Sequence, residues 1–399
     1  MKEKWGQVPR NITQCFQKDN ILCAGIIPGP KKPWDADSFI YLLIQELLEL
    51  VDGISIYDSL LSSLFALHAY VITGFGDIPA VSMLMHMKGY NGSYPCQMCE
   101  IQGIGIPDLQ NRTLYMLLSC HDYPKPTDVI KYYLVRLLLC LYDSFLAQAK
   151  SVLSVPTEIQ QEELSKAYGI KGVPLLSALG SLRFPQSFPY NFMHLIWENL
   201  IPNLILFWSG NYKGMDEGQP YVLPPDMWQV IGATSAKATK MIPLSFSVPI
   251  PNPAKDSSYF TSLTWSVWSL FIAPTMLQCH FPDERYYQHF CSLVRILNLC
   301  LQFEISKEEI NKIKLGICEW VVDYEWCIPP FISEKSKASS IHASSLYYQH
   351  KPKQLLACLL TIHALLHIPD QIGWMGPCWT TWAFPIERQY RYFQCIIHS

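Results

Sequence analysis

The sequence predicts an α/β segment at the start of the chain and a larger, mostly α-helical region after it. Two apolar runs, residues 21–27 and 65–75, alternate with helical patterns at residues 37–51 and 80–88, which gives the order strand, helix, strand, helix. From about residue 131 onwards, the segments have helical periodicity and proline-rich connectors separate them. These two observations place the strands before the helical region.

The two predicted strands have local reasons in the sequence. The run 21–27 (ILCAGII) is continuously apolar and ends at Pro28, so we predict a buried strand that stops at a turn. The run 65–75 (FALHAYVITGF) predicts a second buried strand, and Asp77 follows at its end. The helical patterns between and after these runs complete the α/β segment.

The helical region contains several amphipathic segments, at residues 129–153, 157–168, 193–207, 263–278 and 286–302. Residues 327–345 are polar and serine-rich and are predicted to form a loop, whereas residues 353–368 have helical periodicity again. We therefore predict three parts: an α/β segment over residues 1–128, a helical insertion over residues 129–345, and a return to the first segment over residues 346–399.

The composition limits the class of protein. Half of the 399 residues are hydrophobic, so a sizeable core is available, while only 16% are charged, which predicts apolar surface that a partner covers. A net charge of −3 argues against strong DNA affinity of the isolated chain. No run reaches the roughly 18 apolar residues of a membrane span. Fourteen cysteines without a recognisable signal peptide favour a reduced intracellular compartment.

A single CxxC motif, Cys96 and Cys99, is the first candidate for a metal site. Two thiolates at this spacing can both bind one zinc ion. The alternatives are a redox pair, which is weaker because no thioredoxin-like unit surrounds it, and two unrelated thiols.

His363 and His367 are the second candidate pair. An i,i+4 spacing on a helix puts both imidazoles on one face, and the pattern lacks the glutamate of a metallopeptidase HExxH motif. The alternative is a pair of core histidines. Together with Cys96 and Cys99, 264 residues earlier (363 − 99), they form a Cys2His2 set of the type that holds structural zinc.

Two carboxylates are candidates for catalysis. Asp77 follows a predicted strand, at the place where active sites of α/β sheets gather, and Glu387 lies among aromatic residues. The alternatives are a helix N-cap for Asp77 and an ion pair with Arg388 for Glu387. His194 and Glu198, also spaced i,i+4, favour a hydrogen-bond network in an apolar helix.

Several blocks resemble the fungal Tnp2-like transposases of the CACTA group. They are residues 26–33 (IIPGPKKP), 76–80 (GDIPA), 94–100 (YPCQMCE), 166–176 (KAYGIKGVPLL), 190–206 (YNFMHLIWENLIPNLIL), 298–310 (NLCLQFEISKEEI), 360–368 (LTIHALLHI) and 382–388 (WAFPIER). The resemblance implies a partial RNase H-like fold interrupted by a helical insertion. It also implies DNA as the partner, a nuclear location and possible homo-oligomers.

The resemblance also assigns roles to individual residues. In that family three acids hold two Mg²⁺ or Mn²⁺ ions that act on the DNA phosphate. Carried over, Asp77 is the second acid and Glu387 the third. The CxxC (Cys96, Cys99) and the HxxxH (His363, His367) belong to the pattern as a structural zinc site, and their spacings from the acids are 19 (96 − 77) and 20 (387 − 367) residues.

The chain departs from the family pattern at three places. The family's first acid lies upstream of the Pro-Gly-Pro block, where Asp19 is the single aspartate and lies in a polar stretch. Asn191 stands where the family has an acid, and residues 327–344 interrupt a continuous block. We therefore expect a truncated, transposase-derived protein without catalytic activity. The alternatives are a helical module that binds protein or DNA, and an active enzyme that receives an acid from another chain.

Overall fold

The computed structural model describes residues 20–27, 33, 35–105, 114–116, 137–215, 218–241, 249–325, 345–349 and 352–397. Helices predominate among these residues, and their sheet has two antiparallel strands. This content is compatible with a small α/β part and a large helical part. The loop predicted over residues 327–345 lies outside the described residues except for Ser345.

The helices and strands in chain order are α1 (Asp37–Asp52), β1 (Ile54–Asp58), β2 (Ser63–Leu67), α2 (Ile78–Leu84), α3 (Tyr142–Ser154), α4 (Glu158–Tyr168), α5 (Ile201–Trp208), α6 (Pro225–Ala238), α7 (Ser262–Val267), α8 (Ala273–Met276), α9 (Glu284–Cys300), α10 (Lys307–Glu325), α11 (Leu360–Ala364), α12 (Ile368–Met375) and α13 (Phe384–Ile397). Two π-helical segments, Met193–Leu200 and Trp268–Ile272, lead into α5 and α8. Short 3₁₀ helices are Leu175–Ala178, Thr239–Met241, Ser257–Tyr259, Pro352–Ala357, Leu365–His367 and Cys378–Thr381.

The predicted strand over residues 21–27 is wrong. These residues form no strand, and Leu22 is 92% exposed. An apolar run becomes a strand only where a neighbouring strand accepts its backbone hydrogen bonds, and the described sheet offers it no neighbour. The second predicted strand is correct only at its beginning, because β2 ends at Leu67 and the rest of residues 65–75 is irregular.

A local hairpin supplies the two strands instead. β1 and β2 pair from Ile54↔Leu67 to Asp58↔Ser63. The Asp58 carboxylate closes the turn by accepting hydrogen bonds from the backbone N–H groups of Leu60 and Leu61, at 2.8 and 3.1 Å. The hairpin therefore forms from short-range contacts, which the search for long apolar runs did not detect.

By its contacts the chain divides into two compact units. The first comprises Met1–Gln102, Leu138–Tyr190 and Ala383–Ser399. Its core contains three stacked phenylalanines, with ring centroids 5.4 Å apart for Phe145 and Phe184 and 4.9 Å apart for Phe184 and Phe188. Apolar side chains from α1, α2 and α3 pack around them: Ile44, Val81, Met85 and Ala149. This core fixes the start of the loop that carries Cys96 and Cys99.

The second unit comprises Gly103–Leu137 and Asn191–Trp382. Its α9 and α10 pack against each other, and α10 also packs against α12. Tyr347 lies at the centre of an aromatic core, 4.6 Å from the ring of Tyr324 and 5.0 Å from that of Phe207. Among the residues that the structure describes, no helix has the length and hydropathy needed to cross a membrane.

Candidate metal centre

The cysteine pair lies in a loop that backbone hydrogen bonds hold in place. Cys140 N–H donates to the carbonyl of Met98 at 2.9 Å, and Glu100 N–H donates to the carbonyl of Leu138 at 3.1 Å. These ladder-like bonds fix the residues on both sides of Cys99. Cys96 and Cys99 are buried as a result, each with at most 2% of its surface exposed.

Hydrogen-bond donors surround the sulfur of Cys96. Met98 N–H donates to the Cys96 Sγ at 3.3 Å, and the hydroxyl of Tyr190 lies 3.3 Å from the same sulfur. The Tyr190 oxygen also accepts from the backbone N–H of Gln97 at 3.4 Å. Donors of this kind support a thiolate that binds a metal.

Burial opposes ionisation of these thiols when no cation is near. Burial, and then the hydrogen bond with Cys96, raises the pKa of Cys99 well above its usual range. Burial likewise raises the pKa of the neighbouring Cys140 to about 12. A divalent cation reverses this effect, because it attracts thiolates and displaces their protons.

The histidine pair lies where α11 passes into a 3₁₀ turn. His363 belongs to α11, and His367 ends the 3₁₀ helix Leu365–His367. Pro369, near the start of α12, lacks a backbone N–H and so interrupts the α-helical bonding pattern at this point. Both imidazoles are fully buried, and their Nε2 atoms lie 3.2 Å apart. The two nitrogens therefore face a common point.

The four predicted ligands converge. The ligand atoms of Cys96, Cys99, His363 and His367 all lie within 4.8 Å of one another, and all four residues are buried. Tetrahedral zinc bonded to sulfur and nitrogen sets its ligand atoms roughly 3.3–3.8 Å apart, given bond lengths of about 2.3 and 2.1 Å. A small inward movement of the side chains brings the group to that geometry. The buried Cys2His2 group can thus hold a metal such as zinc.

Asp77 caps helix α2. Its Oδ1 accepts a hydrogen bond from Ala80 N–H at 2.7 Å, and its extended backbone is that of an N-cap residue. Among the described residues, Asp77 belongs to no group of three or more potential metal ligands. The helix cap that the sequence left open as an alternative is therefore present, and the catalytic role of Asp77 stays a prediction.

Glu387 lies in the first turn of α13. Its backbone N–H donates to Ala383 at 2.8 Å, and its side chain is exposed, as is that of Arg388. A carboxylate in the first turn of a helix is favourable to the helix dipole in any protein. The catalytic role of Glu387 therefore also stays a prediction.

His194 and Glu198 take part in a hydrogen-bond network of the second unit. Their nearest side-chain atoms lie 3.6 Å apart, and the hydroxyl of Ser262 donates to Glu198. Asn191 accepts from the backbone N–H groups of Met193 and His194 at 3.1 and 3.3 Å. The predicted network exists, and Asn191 acts in it as a cap for the π-helical segment.

Sequence reasoning missed Tyr190 and Cys140. Tyr190 lies 94 positions beyond the cysteine whose sulfur it contacts. Cys140 has no partner at a recognisable spacing, yet it lines with Cys96 and Cys99 a cavity of about 230 Å³. No local pattern signals either residue, because the contacts arise only when distant segments pack.

Comparison with known proteins adds one family. Residues 8–122 match the model of the transposase family tnp2. No curated protein sequence matches the chain. The matched segment contains Asp77, Cys96 and Cys99. This part of the chain is thus similar to the transposase family tnp2, which supports a transposase-derived protein.

Proposed function

We propose that the chain is a transposase-derived protein, a remnant of a CACTA-type DDE transposase, which binds one structural zinc ion and does not cleave DNA. The parent reaction uses Mg²⁺ or Mn²⁺ on DNA, and the same descent makes DNA the expected partner and the nucleus the expected compartment. The observation that carries the proposal is the convergence of the four buried ligands. The match of residues 8–122 supports the descent.

The donor set favours a structural site over a catalytic one. Two cysteines and two histidines fill all four positions of tetrahedral zinc, so none is left for a water or a substrate. Burial of all four also keeps bulk water away from the ion. Zinc held in this way contributes stability and supplies no nucleophile.

The arrangement of the acids supports inactivity. A two-metal mechanism needs several carboxylates that hold two cations about 3.5–4 Å apart. Asp77 already accepts a backbone hydrogen bond as a helix cap and shares no cluster of potential ligands in the described part of the chain. One cap carboxylate and one exposed glutamate give too few ligands for two metals.

The zinc site is tested by metal content. The purified chain is expected to contain about one zinc per molecule by mass spectrometry of the metal. Cys96→Ser and His367→Gln are expected to lose it, whereas Cys318→Ser, which removes a buried cysteine outside the group, retains it. Zinc below a tenth of the chain concentration in the unaltered protein would contradict the proposal.

Inactivity is tested with DNA. The chain is incubated with Mg²⁺ or Mn²⁺ and supercoiled or transposon-end DNA, and no nicking or joining is expected. Metal-dependent nicking that Asp77→Asn or Glu387→Gln abolishes would show that both acids are catalytic. That result would leave the zinc proposal intact and overturn the inactivity.

A second candidate is a helical DNA-binding module without catalysis. On α13, Arg388, Arg391 and Tyr392 are exposed and share one face at i, i+3 and i+4 spacing. Within the described part of the chain, no ion pair involves either arginine. Arginines bind phosphates and a tyrosine stacks on unpaired bases, so this face suits single-stranded DNA.

The second candidate predicts salt-dependent binding. Arg388→Ala with Arg391→Ala is expected to weaken binding to single-stranded DNA in an anisotropy titration and to reduce the slope against salt by about one per phosphate contact. Lys150→Ala, an exposed cation on α3, is the matched control. Equal binding by all three proteins would exclude this face as the DNA site.

A further inference from the structure

Two cysteines of the second unit, away from the metal centre, hydrogen-bond to each other. Cys300 is the last residue of α9, and Cys378 begins the 3₁₀ helix Cys378–Thr381. The thiol of Cys300 makes a side-chain hydrogen bond with the thiol of Cys378. Both are free cysteines and both are buried, with 1% and 7% of their surfaces exposed.

Separate contacts keep the two segments side by side. The indole N–H of Trp379 donates to the carbonyl of Phe303 at 3.1 Å, and their rings lie 6.4 Å apart between centroids. The hydroxyl of Thr380 donates to the carbonyl of Pro377 at 2.8 Å and holds the turn. The residue after Cys378 is thus bonded to a residue three positions after Cys300, which fixes the approach of the two thiols.

The surroundings of the pair favour a bond between the two sulfurs over a metal site. Neither cysteine belongs to a group of three or more potential metal ligands among the described residues. Cys300 borders a closed apolar cavity of about 10 Å³ that Leu297, Ile317 and Trp320 also line. A site without further ligands cannot complete the tetrahedral coordination of zinc. Two thiols in contact, by contrast, need only an oxidant.

We propose that Cys300 and Cys378 are a redox modification site, and that a peroxide converts them to a disulfide that ties the end of α9 to the 3₁₀ helix Cys378–Thr381. In the first step one sulfur attacks the peroxide, which releases water and leaves a sulfenic acid. In the second step the other sulfur displaces hydroxide from the sulfenic acid, and the S–S bond forms. The two thiols lose two electrons and two protons, and hydrogen peroxide becomes two waters.

The expected consequence follows from the position of the pair. The disulfide closes a loop that contains α10, α11 and α12, including His363 and His367. Closing a long loop restricts the unfolded chain, so oxidation stabilises the second unit if the native geometry accepts the bond. The burial and the hydrogen bond that keep Cys300 protonated make this oxidation slow compared with that of an exposed thiol.

The test is a peptide map of the full chain after hydrogen peroxide treatment. The protein is alkylated under denaturing conditions and digested without reductant. The expected result is a cross-linked peptide that joins Cys300 to Cys378, two fewer alkylated thiols at these positions, and a thermal midpoint raised by several degrees that reductant reverses. Cys318→Ser, a buried cysteine of α10 without a thiol neighbour among the groups that shift its pKa, keeps the cross-link.

Other outcomes overturn the proposal. Recovery of both cysteines as alkylated thiols at an oxidant dose that modifies exposed Cys279 and Cys395 contradicts it. So does sulfinic acid at either position, or a cross-link from either cysteine to a different one. The unaltered chain carries this test, so the result does not depend on the folding of Cys300→Ser or Cys378→Ser, which serve only to confirm the assignment of the peptide.

Discussion

At the scale of single residues, Tyr190 connects the cysteine loop to the core of the first unit. Its hydroxyl lies 3.3 Å from the sulfur of Cys96, and burial raises its pKa well above the usual range, so it stays protonated and acts as a donor. A donor beside a metal thiolate orients the ligand and tunes its charge. Tyr190 is therefore a positioning residue for the proposed zinc site.

Tyr190→Phe is expected to weaken zinc binding by roughly 10-fold, because hydrogen bonds to metal ligands typically change affinity by 10–100-fold. The measurement is a competition titration with a chromophoric chelator. Tyr286→Phe is the matched control, since its buried hydroxyl donates to the carbonyl of Leu346 at 2.7 Å and contacts no thiol of the site. Equal affinity of Tyr190→Phe and the unaltered chain would contradict a positioning role.

His289 makes the second unit sensitive to acid. Burial lowers its pKa to about 4, and its ring stacks on Trp320 at 4.3 Å with a nitrogen 2.9 Å from the carbonyl of that residue. The unfolded chain binds this proton near pH 6.5, whereas the folded chain does not. The stabilising effect of the neutral ring is thus complete above pH 6.5 and decreases as the pH falls towards 4.

The prediction for His289 is a difference in slope. Between pH 7 and 4 the free energy of unfolding of the unaltered chain is expected to fall by up to about 3 kcal/mol more than that of His289→Gln. Urea denaturation at several pH values measures it, and the zinc ligands titrate equally in both proteins. His68→Gln, an exposed histidine of the first unit, should keep the full slope. Parallel curves for His289→Gln and the unaltered chain would refute the assignment.

At the scale of elements, α2 depends on its cap. The helix is short, Ile78–Leu84, and Asp77 satisfies the N–H of Ala80. Asp77→Ala is expected to lower the free energy of unfolding by about 0.5–2 kcal/mol, while Asp77→Asn, which keeps a side-chain oxygen, changes it much less. Urea denaturation distinguishes the two. Equal loss in both variants would indicate that the charge of Asp77, rather than its cap hydrogen bond, contributes the stability.

Helices were predicted more successfully than strands. The segments 37–51 and 157–168 correspond to α1 and α4, and 286–302 corresponds closely to α9. Helical bonds join residues four positions apart, so the local pattern of apolar side chains is enough to specify them. A strand needs a partner elsewhere in the chain, which explains why the apolar run 21–27 is not a strand.

At the scale of the whole molecule, the β1–β2 hairpin leaves apolar side chains in contact with water. The exposed residues are Tyr57, Leu60, Leu61, Leu64 and Phe65. Both strands are also sheet edges in the described structure, which present backbone groups to another chain. A second copy of the chain is the simplest partner for such a hairpin, in line with the homo-oligomer that the sequence predicted.

Self-association is expected to decrease when this surface becomes charged. Leu61→Lys with Leu64→Lys should lower the apparent mass of the chain in light scattering at high concentration, with an unchanged circular dichroism spectrum. Ile159→Lys, which alters an exposed apolar residue of α4, is the matched control. A monomeric unaltered chain, or equal association in all three proteins, would count against the hairpin as an interface.

The sequence by itself determined the local geometry of the candidate site. A CxxC places two sulfurs within reach of one ion, and an HxxxH on a helix places two imidazoles on one face, because backbone geometry fixes separations over three or four residues. It also determined the helices that carry these pairs. The resemblance of the early segment to tnp2 transposases needed no coordinates either.

Only the tertiary structure decided which distant groups meet. The convergence of Cys96 and Cys99 with His363 and His367, and the approach of Tyr190 to Cys96, depend on packing over long separations. The same holds for the cap role of Asp77, which the sequence offered as one of two choices. Such contacts arise when apolar surfaces from many segments are buried together, and no short stretch of sequence contains the information that sets their distances.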